Sequence, residues 1–93
     1  MSTEVVDNRL RSRWEARVSG TLAGVVAYEL DDGVVTFTHT AVEDAFEGQG
    51  IGSALARAAL DDARAEGLTV VPRCPFIARW IERHPGYADL VRP

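Results

Sequence analysis

The sequence contains no lysine: all 10 basic residues are arginine, set against 14 acids for a net charge of −4. An acid-rich chain makes a poor partner for duplex nucleic acid, where affinity rests on neutralising phosphates. Small anionic ligands stay open to it, because backbone N–H groups can bind them whatever the net charge. A single cysteine, Cys74, excludes an intramolecular disulfide framework, and 2 histidines are too few for a structural zinc site, so no metal is expected. No apolar run approaches the roughly 20 residues that cross a bilayer. Residues 1–8 hold two acids, Glu4 and Asp7, and no basic residue, unlike a secretory signal peptide. The expectation is a cytoplasmic protein, monomer or weak dimer, that engages neither nucleic acid nor membrane. What is present is ordinary globular material, with 46% hydrophobic and 26% charged residues in 93, enough for one domain over 1–93 around one core.

The hydrophobic pattern changes character near Phe46. Before it, apolar residues alternate as in strands. Residues 13–18 place Trp14, Ala16 and Val18 on one face, residues 22–30 form a longer β-rich run, and Asp31-Asp32-Gly33 supplies hairpin chemistry. The returning strand, 34–42, puts Val35, Phe37, His39 and Ala41 on one face and Val34, Thr36, Thr38, Thr40 and Val42 on the other. Three antiparallel strands are thus expected in the first half. After a turn-like stretch over 43–52, residues 53–66 carry a helical stripe of Leu55, Ala56, Ala59, Leu60 and Ala63, closed by Gly67. A short buried strand over 68–72 and a second helix over 75–84 follow, the latter with Phe76, Ile77, Trp80 and Ile81 as its apolar face. Trp14, Phe37, Phe76 and Trp80 read as core. The fold class is α/β (α+β): a mixed, mostly antiparallel sheet flanked by helices.

The most informative stretch is Glu47-Gly48-Gln49-Gly50-Ile51-Gly52-Ser53. Glycines spaced by two let successive N–H groups point into one concavity, and a following helix adds its positive N-terminal end. That pattern can cradle a pyrophosphate without any basic side chain; it can equally be a tight strand-to-helix link. A Rossmann fingerprint does not fit the glycine spacing, and a P-loop needs a lysine the chain lacks.

Cys74, before Pro75, sits where a helix N-cap belongs, a position that activates thiols, with Arg73 adjacent. It can equally pack as a small hydrophobe. His39, on the face of Phe37, reads as a half-buried structural histidine, and His84 as a helix C-terminal cap. Glu43, Asp44 and Glu47 form either a solvated acidic turn or an attractor for a cationic amine. Arg79, on the polar side of the second helix, is either a surface arginine or a phosphate contact.

Taken in order, Thr38-His39-Thr40, Gly48-Gln49-Gly50-Ile51-Gly52, Val70-Val71-Pro72, Cys74-Pro75-Phe76 and His84-Pro85-Gly86-Tyr87 resemble the compact single-domain members of the GNAT superfamily of N-acetyltransferases. The resemblance runs closely from about Val34 to Val91. It implies acetyl-CoA as cofactor, with backbone donors of Gly48, Gln49, Gly50, Ile51, Gly52 and Ser53 on the pyrophosphate. It further implies that Thr40, Ala41 and Val42 pair with the pantetheine arm, with Phe76 and Arg79 as further coenzyme contacts. Two departures stand out: Glu47 replaces the frequent Gln or Arg and is expected to point away from phosphate, and Trp80-Ile81 occupies the place of the usual catalytic tyrosine. In such proteins the cysteine of Cys-Pro-Phe lies near the thioester, so Cys74 becomes the candidate acid or acyl carrier, and His39 the candidate base for an incoming amine. The implied activity is acetyl transfer to a primary amine on a small molecule or a protein. The alternatives are a coenzyme A-binding module without turnover and a structural domain using the Trp80 face for contact.

Overall fold

The computed structural model describes residues 2–91; Met1, Arg92 and Pro93, which the expected domain includes, lie outside the described residues. Its strands are β1 (Thr3–Asn8), β2 (Arg13–Val18), β3 (Thr21–Asp31), β4 (Val34–Val42) and β5 (Thr69–Pro72), with helices α1 (Ile51–Ala65) and α2 (Pro75–Arg83). They form one five-stranded sheet in the order β1-β2-β3-β4-β5, antiparallel through β4, with β4 and β5 parallel. The expected mixed, mostly antiparallel sheet is therefore present. The expectation of three strands in the first half needs correction, because Thr3–Asn8 adds a fourth at the sheet edge, its alternation weakened by adjacent Val5 and Val6. α1 also begins two residues earlier than its apolar stripe indicated, which places Gly52 inside the helix.

β2, β3 and β4 pair, with one register shift in each ladder, so that Val26, Tyr28, Val35 and Phe37 point to one face. α1 lies over that face, with Ile51 and Leu55 seated on Gly24 of β3. The side chains of Val26, Phe37, Leu55, Leu60, Val70 and Ile77 are fully buried between these layers. Each contributes about 1.5–3 kcal/mol relative to exposure, before conformational entropy is subtracted. α1 ends where Leu68 N–H donates to the Ala63 carbonyl at 2.8 Å. A short 3-10 segment, Pro85–Leu90, then folds back beside α1, with Leu90 buried and Arg64 paired to Asp89 at 2.9 Å.

The opposite sheet face carries Arg13, Glu15, Arg17, Val25, Ala27 and Thr36, of which Glu15 alone is buried. Its carboxylate accepts from Arg13 Nε at 2.8 Å, Asn8 Nδ2 at 3.1 Å and Arg17 Nη2 at 3.3 Å. The Arg13 hydrogen bond, opposed by burial and aided by Asn8 and Arg17, holds this acid below the usual glutamate range. Among the described residues no helix is long and apolar enough to cross a membrane, and no group of three or more His, Cys, Asp or Glu could hold a metal ion.

On the helix-covered face, Tyr28 donates its hydroxyl to Asp7 Oδ1 at 2.7 Å. Burial, with the hydrogen bond and charge of Asp7, pushes its phenol up from 10.0 to about 12. A raised folded-state value means the neutral phenol is favoured by folding. That stabilisation is complete below pH 10 and is lost as pH rises towards about 12. No lysine titrates in this window. Urea midpoints measured from pH 8 upward should therefore fall above pH 10, and Tyr28→Phe should flatten the fall; an unchanged slope in the variant would remove Tyr28 as its source.

Candidate active site

The site begins where β4 ends. Glu43 N–H donates to the Ala23 carbonyl at 2.8 Å, and a 3-10 turn over Asp44–Phe46 leads to the glycine loop. Gly48 and Gly50 take φ of +81° and +77°, left-handed backbone that costs a residue with a β-carbon roughly 1–2 kcal/mol. Gly50 is the N-cap of α1 and offers no capping side chain. The first backbone bond of the helix is Ala54 N–H to the Gly50 carbonyl at 3.0 Å. The N–H groups of Gly48, Gln49, Gly50, Ile51, Gly52 and Ser53 have no acceptor among the described residues. A run of uncommitted donors at the positive end of a 15-residue helix is an anion cradle made of main chain.

The cradle opens on a cavity of about 540 Å³, a volume typical of small-molecule sites. From the loop and α1 it is lined by Val42, Gly48, Gly50, Ile51, Gly52 and Ser53, and from α2 by Phe76 and Arg79. Gln49, Thr40 and Ala41, also expected at the coenzyme, do not line it. Glu47, expected to point away, does. Phe46, Trp80, Arg83 and His84 complete the wall and were not anticipated there. A four-residue step from Arg79 to Arg83 on one helix face was the available signal.

Phe76 is 39% exposed and not core, because its ring lies across Gly52: a β-carbon on that glycine would fall 2.6 Å from Phe76 Cζ. Trp80 is buried, as expected of a core residue. Its Nε1 donates to Ser53 Oγ at 2.9 Å, tying α2 to the first turn of α1. The His84 ring stacks on Trp80 at 3.7 Å, with Arg57 over the same indole at 5.4 Å. His84 Nδ1 lies 2.7 Å from the Trp80 carbonyl, so that nitrogen must carry the proton, and the ring closes the C-terminal turn of α2 as its position indicated.

β4 and β5 pair only from Val34↔Thr69 to Phe37↔Pro72. Pro72 has no N–H to continue the ladder, Arg73 N–H turns back to the Val71 carbonyl at 3.1 Å, and Cys74 N–H reaches the Phe37 carbonyl at 2.8 Å as α2 begins. Beyond Phe37, β4 has no strand neighbour on that side among the described residues. Within the same stretch the β3–β4 register shifts: Tyr28 pairs with Phe37 and Ala27 with His39, leaving Thr38 as a bulge. One extra residue inverts the alternation that follows. His39 therefore does not share a face with Phe37. It stands exposed on the open face, not half-buried, and does not line the cavity. Thr40 and Val42 turn to the Phe37 side instead. Thr40 Oγ1 meets Cys74 Sγ at 3.1 Å. Cys74 is the N-cap of α2 by backbone position, but its thiol makes no cap; it is 3% exposed and engaged with Thr40. The pair lies two residues from Val42 on β4 and two from Phe76 on α2, the cavity residues nearest to it in sequence.

A sheet forked between a bulged strand and its parallel neighbour, with uncommitted N–H donors at the adjoining helix, defines an α/β fold with a ligand-sized cavity beside the fork. Residues 13–90 match the GCN5-related N-acetyl-transferase family, and the chain belongs to it. Among curated proteins, Protein NATD1 of Xenopus tropicalis is 34% identical over 99% of this chain and 88% of its own length. Protein NATD1 of Homo sapiens is 34% identical over 96% and 82%. A GCN5-like protein from Staphylococcus aureus superposes with a TM-score of 0.74 at 23% identity, covering 96% of this chain and 87% of that one. A GNAT family acetyltransferase from Brucella melitensis, solved in complex with acetyl-CoA, shares the fold with a TM-score of 0.57 at 22% identity, over 73% of this chain and 50% of its own. N-acetyl transfer, with acetyl-CoA as cosubstrate, is the chemistry of the family.

The Gly52–Phe76 contact yields a test by sign. Gly→Ala inside a helix ordinarily stabilises by up to about 1 kcal/mol. Here Gly52→Ala should destabilise by about 1–3 kcal/mol in urea unfolding, and should turn neutral or stabilising in a Phe76→Ala background. Stabilisation in the wild-type background would mean that Phe76 yields freely.

Proposed function

We propose that this chain is an N-acetyltransferase that moves an acetyl group from acetyl-CoA to a primary amine, on a small molecule or a protein. The observation that carries this reading is the run of uncommitted N–H groups from Gly48 to Ser53, opening on the cavity between the loop and α2. Acetyl-CoA supplies an activated thioester whose carbonyl accepts the amine and whose sulfur departs. The loop holds the pyrophosphate by main-chain donors, and Arg79 stands on the facing helix as a further coenzyme contact. The unpaired edge of β4 from Thr40 through Ala41 to Val42 offers backbone groups to the pantetheine amides, in the manner of an added strand. Held at the fork, the thioester lies within reach of an amine and of a proton source, which replaces a bimolecular encounter by an oriented one.

Cys74 is the proton source in this scheme. As the amine nitrogen forms its bond to the carbonyl carbon, the carbon–sulfur bond breaks and the Cys74 S–H protonates the departing thiolate. Thr40, at hydrogen-bond distance, orients that thiol, and the thiolate left after transfer is reprotonated from water. His39, exposed on the far side of the same strand, accepts the proton of an amine arriving from the open face. The acids Glu43 and Asp44, both exposed, and Glu47 at the cavity wall favour a cationic acceptor over an anionic one.

Two variants test the scheme. Gly50→Glu puts a side chain into left-handed backbone and a negative charge into the cradle, and should lower coenzyme A affinity by at least about 100-fold in isothermal titration. Unchanged affinity would remove the pyrophosphate assignment. Cys74→Ser should leave coenzyme A binding intact and reduce amine-dependent thiol release about 10–100-fold. Wild-type turnover in Cys74→Ser would reduce Cys74 to a packing residue. Coenzyme A binding without acetyl-dependent thiol release from any amine in a broad panel would identify a binding module instead.

A further inference from the structure

The far wall of the cavity carries two guanidinium groups that the protein itself does not use. Arg79 and Arg83 lie four residues apart on α2, about 6 Å along the helix axis, and both are exposed and line the cavity. Arg9, Arg13, Arg17 and Arg64 are each paired with a carboxylate. Arg57 lies over the Trp80 ring. Arg79 and Arg83 form no ion pair among the described residues, although the chain has 14 acids for 10 basic residues. Glu47, the acid in the cavity lining, pairs with neither.

Their position along the cavity is set by two contacts. Phe76 in the first turn of α2 lies on Gly52, so that turn abuts the cradle. Arg79 and Arg83 follow one and two turns farther along α2, away from that contact. The wall there is stiff, because Trp80 is bonded to Ser53 and the His84 ring is both stacked on Trp80 and bonded to its carbonyl. A ligand whose pyrophosphate fills the cradle would meet these arginines with a second anion carried along the same cavity. Coenzyme A carries one, the phosphate on its ribose.

Resting on the coenzyme reading above, we propose that Arg79 and Arg83 form the subsite for the ribose 3′-phosphate, and that this subsite selects coenzyme A over dephospho-coenzyme A. Guanidinium groups suit the task because each can present paired N–H donors to phosphate oxygens.

The test is isothermal titration of the full chain with coenzyme A and with dephospho-coenzyme A. Wild-type protein should bind dephospho-coenzyme A about tenfold more weakly. Arg79→Gln and Arg83→Gln should each lose coenzyme A affinity while keeping their dephospho-coenzyme A affinity, and the double variant should bind the two ligands equally. Arg11→Gln, an exposed arginine on the β1–β2 turn, should leave the ratio unchanged. Equal affinities in the wild-type protein, or an undiminished ratio in the double variant, would overturn the subsite alone. Failure of the wild-type protein to bind either ligand would overturn the coenzyme reading and the subsite with it.

Discussion

Parallel pairing between β4 and β5 stops where Pro72, without a backbone N–H, comes opposite Phe37. Cys74 N–H still reaches the Phe37 carbonyl, but the chain turns there into α2. Pro75 at the first helical position makes that turn definite, since it needs no hydrogen bond and favours helix. The two strands diverge, and from Thr38 onward the β4 edge away from β3 has no strand beside it among the described residues. The thiol of Cys74, the hydroxyl of Thr40 and the cavity between the loop and α2 all take their places from this fork.

The glycine loop depends on the same packing that builds the core. Ile51, 2% exposed, anchors its helical end, and half-buried Phe46 anchors its strand end. Between these anchors the backbone is exposed, so water can satisfy the N–H groups. The left-handed residues cost little because they are glycine. Holding the donors in place ahead of binding spares the entropy of ordering them later. A second fixed point is Phe76 on Gly52, which sets how close α2 comes to the cradle and hence where the far wall of the cavity stands.

The helices leave one sheet face uncovered, and its central acid shows how that is tolerated. Glu15 is buried between Arg13 and Arg17 of its own strand and is further bonded by Asn8 of the next. The charge cluster is satisfied locally, and the arginine stems cover apolar surface that a helix would otherwise hide. An open face of this kind leaves His39 and the adjoining strand exposed.

Local patterns were legible in the sequence. Alternation identified β2, β3 and β4, a single apolar stripe identified α1, and the glycine spacing with the helix behind it located the cradle. These features depend on neighbours within about one turn or one hairpin, so the residues themselves determine them. β1 was missed because a short edge strand with adjacent valines breaks the alternation that marks a strand. The faces of His39, Thr40 and Val42 were misread because the bulge at Thr38 exists only in the pairing with β3, and one unpaired residue reverses every side chain after it. The meeting of Thr40 with Cys74, 34 residues apart, and the cavity wall of Arg83 and His84 facing the glycine loop were likewise left to tertiary structure. The chain determined which residues could bind an anion or handle a proton; only the packing of the helices and the fork in the sheet decided which of them stand together, because those contacts are made across distances that no local periodicity encodes.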